Sequence, residues 1–394
     1  MLIRRRRTAL SKTPHALADG LMLVLQHPAE KNTMSHRELQ PATESLASKD
    51  VRPFIVPVFI PHAGCPHRCV YCNQAAVTGR AETLPEPAAF RDQVAAFLKY
   101  RGRRLGRVQI AFFGGNFLGM AEAGIRQLLT EAAGFVRSGD VQGIRFSTRP
   151  DTVSRRTLDI LSGFPVQTVE LGAQSMDPEV LQRSRRGHTP DDTVNAVSLL
   201  VDRGYEVGLQ IMAGLPGDDE TRLMETGRRI AELAPDFIRI YPTVVLAGSP
   251  LEKWYREGMY QPLALDTAVD LVQRLYGLFR AHSIPVIRMG LQATDDLGAG
   301  GAVLAGPWHP AFGHLVLCAA FLRAARRALR EGGCHGVELV LKVHPRSVSR
   351  MRGMRNASCN LLKQDFGFRR VDVAPDSTLA EDEIAVQGGS TIKV

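Results

Sequence analysis

The chain has 394 residues, 44% hydrophobic and 23% charged, with 49 Lys and Arg against 40 Asp and Glu for a formal charge of +9. That composition describes a globular protein with enough apolar material for one large core and a smaller appended unit. No apolar stretch approaches the roughly 20 residues that span a bilayer, and Leu21 to Leu25 is too short for a signal-peptide core, so a soluble, cytoplasmic protein without a membrane partner is expected.

Residues 1–50 carry an arginine run, Arg4 to Arg7, and no sustained period; they read as a mobile basic leader, with Met34 as a second possible start. From Phe54 onward short apolar runs alternate with helical patterns, the signature of strand-helix units and a parallel sheet. The candidate strands are Phe54 to Ile60, Val108 to Phe113, Ile144 to Thr148, Val169 to Ala173, Val207 to Ala213 and Phe237 to Val245. Apolar spacing near 3.6 predicts helices over Ala88 to Tyr100, Asp192 to Arg203 and Thr221 to Leu233. Six such units predict an α/β fold, a partial (β/α)6 TIM-type barrel over residues 51–280.

The pattern then changes. A strand at Val286 to Leu291, a glycine-rich turn at Gly298 to Gly301, an arginine-rich helix within 311–330, a strand at Val337 to Val343, a basic helical segment and a short strand near Arg370 predict a small α+β accessory domain over 281–375. Residues 376–394 are left as a tail.

The chemistry begins at Cys65-Pro-His-Arg-Cys69-Val-Tyr71-Cys72, directly after the first strand. Six cysteines in a chain this long do not make a disulfide scaffold, and three of them crowd into eight residues. Three thiolates at this spacing on a loop can ligate three irons of a cubane cluster and leave the fourth open. A closed zinc site needs a fourth ligand, for which His62 or His67 would have to serve, and plain buried cysteines are the other alternative.

Cys-x3-Cys-x2-Cys with an aromatic before the last cysteine resembles the radical S-adenosylmethionine (SAM) superfamily. That resemblance implies a 4Fe-4S cluster whose open iron binds SAM, and a reduced flavodoxin or ferredoxin-type electron donor. The longer stretch Ile60-Pro-His-Ala-Gly-Cys-Pro-His-Arg-Cys-Val-Tyr-Cys-Asn-Gln74 is similar to the branch containing the elongator catalytic subunit, which implies tRNA wobble uridine as substrate. Full-length members of that branch carry a C-terminal acetyltransferase-like domain, for which this sequence has no matching stretch, so a separate acyl-CoA-handling partner is expected.

Unusual residues follow each predicted strand, where the catalytic rim of a barrel enzyme lies. Gly114-Gly115 permits close backbone approach, and in the superfamily the matching pair receives the SAM amino group. Asn116 and Leu118 stand where the family often has Ser and Thr. Arg149 and Arg186 are the guanidinium candidates for the SAM carboxylate or a nearby anion, because a planar fork pairs bidentately with carboxylates, with a surface salt bridge as the alternative for either. Gln174 and Ser175 are expected at the ribose, and Gln210 and Gly214 near the adenine, with Asp218 or Asp219 as a helix N-cap. Tyr241 ends the sixth strand and is the candidate catalytic residue on the substrate side, a packed rim tyrosine being the alternative.

Between Lys342 and Arg370 there are eight Lys or Arg and one acid, Asp365. Lys342, Arg346, Arg350, Arg352 and Arg355, with His309 before them, are candidate RNA contacts, against the alternative of a solvated basic face. Gly353-Met-Arg-Asn356 resembles the loop by which KH modules grip a nucleic-acid backbone, with Asn in place of the second glycine. Cys318, Cys334 and Cys359 are too widely spaced to suggest a second metal. The functional expectation is a radical SAM enzyme acting on tRNA. The alternatives are a radical SAM enzyme on a small molecule such as a porphyrin precursor, or an RNA-binding protein with a structural cluster.

Overall fold

The structure, a computed structural model, describes residues 53–78, 83–101, 106–291, 301–332, 337–387 and 391–394. The expected leader, the turn begun at Gly298, and Cys334 lie outside them. Alternation of strand and helix is borne out from the start: β1 (Phe54–Phe59), α1 (Gln74–Thr78), α2 (Pro87–Arg101), β2 (Val108–Phe113), α3 (Glu122–Arg137), β3 (Gly143–Thr148), α4 (Arg155–Leu161) and β4 (Val166–Gln174). Next come α5 (Pro178–Arg183), α6 (Pro190–Asp202), β5 (Glu206–Ala213), α7 (Glu220–Glu232), β6 (Phe237–Pro242), β7 (Val245–Leu246), α8 (Pro250–Arg256), α9 (Leu265–Ala281) and β8 (Val286–Met289).

Seven strands form one parallel sheet in the order β1-β2-β3-β4-β5-β6-β8. Parallel neighbours cannot be joined by tight turns, so each pair is bridged by crossover helices, and the sheet curls into a partial barrel with its C-terminal strand ends on one rim. Its core is dense in large apolar side chains; Phe112, Phe117 and Phe146 are fully buried and stack in sequence, Phe117 lying 4.4 Å from Phe146. Helix starts are set locally. Thr189 and Asp192 close a capping box at α6 with Pro190 in the first turn, and Asp219, not Asp218, caps α7.

Two details differ from the sequence expectation. The predicted strand Phe237 to Val245 stops at Pro242, which has no N–H for the ladder, and Val245–Leu246 turns out to pair antiparallel with β9 (Val303–Ala305). The strand after residue 281 joins the barrel as β8 beside β6, making seven strands where six were expected.

The second layer contains α10 (Phe312–Glu331), β10 (Glu338–Val343), α11 (Val348–Arg352), α12 (Ala357–Phe366), β11 (Arg370–Pro375), β12 (Glu383–Val386) and β13 (Thr391–Lys393). Its sheet order is β11-β10-β12-β13, with β10 and β11 parallel. Residues 376–394, expected as a tail, supply two of these strands, because Ile384 and Val386 alternate inward and bury against Leu341 and Val373. Helix α10 belongs to both cores: Phe312 and Val316 pack into the barrel, Phe321, Ala325 and Leu329 into the smaller domain. Among the described residues no helix is long and apolar enough to cross a membrane.

Candidate active site

The cysteine loop leaves β1 at the barrel rim and is held from several sides. His62 N donates to Gln74 Oε1 at 2.6 Å while Gln74 N donates to the His62 ring at 3.1 Å, which closes the loop on itself. Val70 N donates to Ser184 O, Leu251 N to Val70 O and Asn73 Nδ2 to Ala247 O, tying the loop to the segments after α5 and β7. Gly64 has φ +71°, and a Cβ there would lie 2.3 Å from the Asn116 carbonyl oxygen, so only glycine fits.

Asn116 is the junction that the sequence reading left unassigned. Fully buried, it donates from Nδ2 to Gly64 O at 2.9 Å and accepts at Oδ1 from Thr148 Oγ1, Arg149 N and Thr152 Oγ1 at 2.7 to 2.9 Å. One amide thus couples the cysteine loop to the loop after β3. Its position directly behind Gly114-Gly115 was the signal available in the sequence.

The two glycines serve different ends. A Cβ on Gly115 would meet Ile60 O at 2.6 Å and Ala63 O at 2.7 Å, so this residue packs against the cysteine loop itself. A Cβ on Gly114 would be in ordinary contact with Gln74 Oε1 at 3.5 Å and Pro61 at 3.8 Å, so it is φ +93° and not crowding that favours glycine there.

Both candidate arginines are buried, and neither presents a free fork. Arg149 pairs bidentately with Asp151 at 2.9 Å through Nε and Nη2. Arg186 donates from Nη1 to Cys69 Sγ at 3.2 Å and from Nη2 to Gly172 O at 2.6 Å, while its buried Nε has no partner among the described residues. Burial opposes the Arg186 charge, but Tyr71, Cys69 and Cys72 outweigh it and its pKa is raised. His188, two residues on, donates from Nε2 to Ala173 O at 3.2 Å, and burial with the nearby Arg186 pushes its pKa down to about 3, so the ring is neutral.

Further along the rim, Gln174 sits in a left-handed conformation, φ +66°, at an irregularity between β4 and β5, and Gln210 Nε2 donates to its Oε1 at 3.2 Å. Such a strained non-glycine conformation is characteristic of functional rims. The Ser175 hydroxyl is instead buried, engaged with Thr226 Oγ1 and the Asp177 N–H. Gly214, φ +79°, donates its N–H to Asp218 Oδ2 at 3.0 Å and accepts from the Tyr260 hydroxyl at 2.6 Å. Burial raises the Asp218 carboxyl to about 7. Tyr241 is buried in a cluster with Val180, Met212 and Leu215, against which Tyr71 of the cysteine loop packs, and Arg239 lies 5.4 Å from its ring centroid.

Beneath the rim, Glu170 pairs with both Arg145 and Arg239 inside the barrel. Burial pushes its pKa up, but Arg239 and Arg145 overcome this and hold it below the ordinary carboxylate range. Of the accessory residues, His309 accepts the Ala311 N–H through Nδ1 at 3.0 Å just before α10, a structural use of the ring.

The donor chemistry fits an iron-sulfur cluster. Burial first, then the neighbouring thiols, raise the pKa of Cys65, and the same causes push Cys72 up to about 12. Two such thiols do not become thiolates together, beside the sulfur of Cys69, unless cations compensate them, which cluster irons do. Among the described residues no three His, Cys, Asp or Glu side chains are gathered around one point as a single ion requires. A cubane takes one thiolate per iron, so its ligands need not converge in that way.

The sequence model of the Radical SAM superfamily matches residues 59–230, and that of the Radical_SAM C-terminal domain matches residues 235–321. The chain belongs to the radical SAM superfamily. Enzymes of this superfamily use a 4Fe-4S cluster and SAM, and the matched segments contain the cysteine loop and the rim just described. Relatives of this radical SAM chain include the tRNA uridine(34) acetyltransferase of Dehalococcoides mccartyi, 27% identical over 276 residues that make up 60% of each chain. Elongator complex protein 3 of Saccharomyces cerevisiae is 27% identical over 263 residues, 55% of this chain and 47% of that one. The chain therefore spans about half to 60% of these relatives' length. The archaeal Elp3 of Methanocaldococcus infernus, truncated at its N-terminus, superposes with a TM-score of 0.53 at 18% identity, covering 84% of this chain and 73% of that chain, and so shares the fold.

Proposed function

We propose that this radical SAM protein modifies tRNA, with wobble uridine as the target base. The observation that carries the first half of this reading is the loop of Cys65, Cys69 and Cys72, with Cys69 buried, Cys65 and Cys72 partly so, and Arg186 donating to the Cys69 sulfur at the barrel rim. These three cysteines would hold the cluster. Bound and reduced, it supplies the electron that splits SAM into methionine and a 5'-deoxyadenosyl radical.

The chain's own residues supply the rest. Gly114 would meet the methionine moiety of SAM beside the cysteine loop, Gln174 and Gln210 offer amide groups toward a ribose, and the Gly214 turn, pinned by Asp218 and Tyr260, shapes the adenine end. Arg149 and Arg186 act by neutralising buried anions and positioning the loop. Tyr241 and Tyr71 form an apolar wall that excludes water from a reactive radical. Ser175 holds the rim to α7. A flavodoxin or ferredoxin-type donor would deliver the electron, and a separate acyl-CoA-handling partner would provide any acyl group.

The tRNA half is supported by the names of the relatives and by the basic accessory domain, where Lys342, Arg346, Arg350, Arg352 and Arg355 gather. The test is anaerobic reconstitution followed by incubation with dithionite, SAM and unmodified tRNA. 5'-Deoxyadenosine should form, faster with tRNA than without, and nucleoside mass spectrometry should reveal an altered uridine. SAM cleavage that tRNA does not accelerate, with unaltered nucleosides, would count for the small-molecule alternative.

A further inference from the structure

The accessory domain holds a cavity of about 460 Å3 between α10 and the junction of α11 with α12. It is lined by His314, Ser349, Arg352, Gly353, Arg355 and Asn356, with no acidic side chain among its lining residues. Its volume falls within the range of small-ligand sites, enough for a nucleotide-sized group and too small for a duplex.

The charge of this domain is not spread as the sequence suggests. Lys342 pairs with Asp376 at 3.9 Å, Arg346 with Glu381 at 2.9 Å, and Arg350 with the same Glu381 at 3.6 Å. Those acids come from beyond residue 375, and the fold brings them back onto the basic stretch. Arg352 and Arg355 have no ion pair among the described residues, and both are exposed at the same cavity. Of the eight basic residues of the stretch, Lys363 and Arg369 likewise have no ion pair among the described residues, but of these four only Arg352 and Arg355 line the cavity.

The backbone here is unusual as well. Between two helices whose flanking strands β10 and β11 run parallel, Gly353 has φ +70°, Arg355 φ +52° and Asn356 φ +62°. A Cβ on Gly353 would come within 2.6 Å of Ser358 Oγ. Asn takes the left-handed form in place of a second glycine, and its side chain caps no helix N–H, leaving the amide at the cavity mouth.

We propose that this cavity is a binding site for a backbone phosphate of single-stranded RNA, with Arg352 and Arg355 as its cationic contacts and the Asn356 amide as a further donor. It rests on, and deepens, the reading of the protein as an RNA-modifying enzyme. The charge argument selects a phosphate, and the likeness of the Gly353–Asn356 loop to the KH loops that clamp single strands selects an unpaired strand over a duplex. Arg346 and Arg350 share Glu381, which offsets one of their two charges, and neither guanidinium is as free for a phosphate as those of Arg352 and Arg355.

The experiment compares the reconstituted full chain with an Arg352→Gln/Arg355→Gln double variant and with Arg346→Gln. Binding to fluorescent oligouridylate and to unmodified tRNA is followed across salt concentrations. The double variant should bind oligouridylate at least tenfold more weakly, with a log K against log salt slope shallower by about 0.7, the contribution of one single-strand phosphate contact. Arg346→Gln should lose less than threefold. Because both cavity arginines are exposed, folding is checked by circular dichroism, and Arg355→Asn, which suits the left-handed backbone, provides a second variant expected to weaken binding.

An unchanged slope in the double variant, an equal loss in Arg346→Gln, or displacement of oligouridylate by micromolar inorganic phosphate would each overturn the proposal. If oligouridylate binds with the expected dependence but tRNA is neither bound nor modified, the cavity stands and the tRNA reading falls. If tRNA binds with a slope indifferent to both arginines, the tRNA reading stands and the cavity proposal falls.

Discussion

Arg186 reaches from the segment after α5 to place Nη1 3.2 Å from Sγ of Cys69. This couples a guanidinium that burial cannot discharge to a thiol whose neighbours, Cys65 and Cys72, both have their pKa raised by burial first and then by the proximity of Cys69. The arginine's remaining fixed contact is the Gly172 carbonyl on β4, so the barrel wall sets its aim.

Removing that donor should be felt at the cluster. Hydrogen bonds to cluster sulfurs raise the reduction potential. Arg186→Gln is expected to load less iron per chain on reconstitution and to show a lower midpoint potential in an EPR-monitored redox titration, and Arg186→Lys should lie between it and wild type. A wild-type potential in the glutamine variant would mean that Arg186 serves only to hold Gly172.

Asn116 makes one donated and three accepted hydrogen bonds in a fully buried position. Asn116→Ala leaves the Gly64 carbonyl and the Arg149 N–H without their partners, and unmet buried groups cost about 1–3 kcal/mol each. A loss of about 3 kcal/mol in urea unfolding is expected, together with weaker iron retention. A loss under about 1 kcal/mol would remove Asn116 from its role as the junction of the two loops.

Glu170 lies between Arg145 and Arg239. Removing one partner of a buried ion pair costs about 3–5 kcal/mol, so Glu170→Gln should unfold at markedly lower urea. The sign of the pH effect follows from the depressed folded pKa. Stability from this carboxylate is complete above its unfolded pKa of about 4.3 and is lost as pH falls toward the lower folded value. Wild type should therefore lose stability below about pH 4 more steeply than Glu170→Gln; equal slopes would show that the triad does not contribute.

Asp218 has the opposite sign. Its folded pKa near 7 exceeds the unfolded value, so the folded state holds its proton more tightly, and stability declines as pH rises from about 4 to 7. Partial exposure discounts the effect to on the order of 2 kcal/mol. Asp218→Asn keeps an oxygen for the Gly214 N–H and should flatten this part of the profile. Chemical denaturation at pH 5 and pH 8 measures it, and a decline that survives in the variant would assign it to another group.

The cysteine spacing, the strand-helix alternation and the glycines after each strand were legible in the sequence because they are local: a period of two or 3.6, or donors separated by two or three residues, needs no tertiary information. Even the left-handed Asn356 could be foreseen from the short list of residues that adopt that backbone. What only the tertiary structure decided are the long-range pairings. Arg186 turns to Cys69, Ser175 turns to Thr226, and Glu381 pairs with both Arg346 and Arg350. The physical reason is that charge compensation depends on distance in space, whereas a sequence count of basic residues records only distance along the chain.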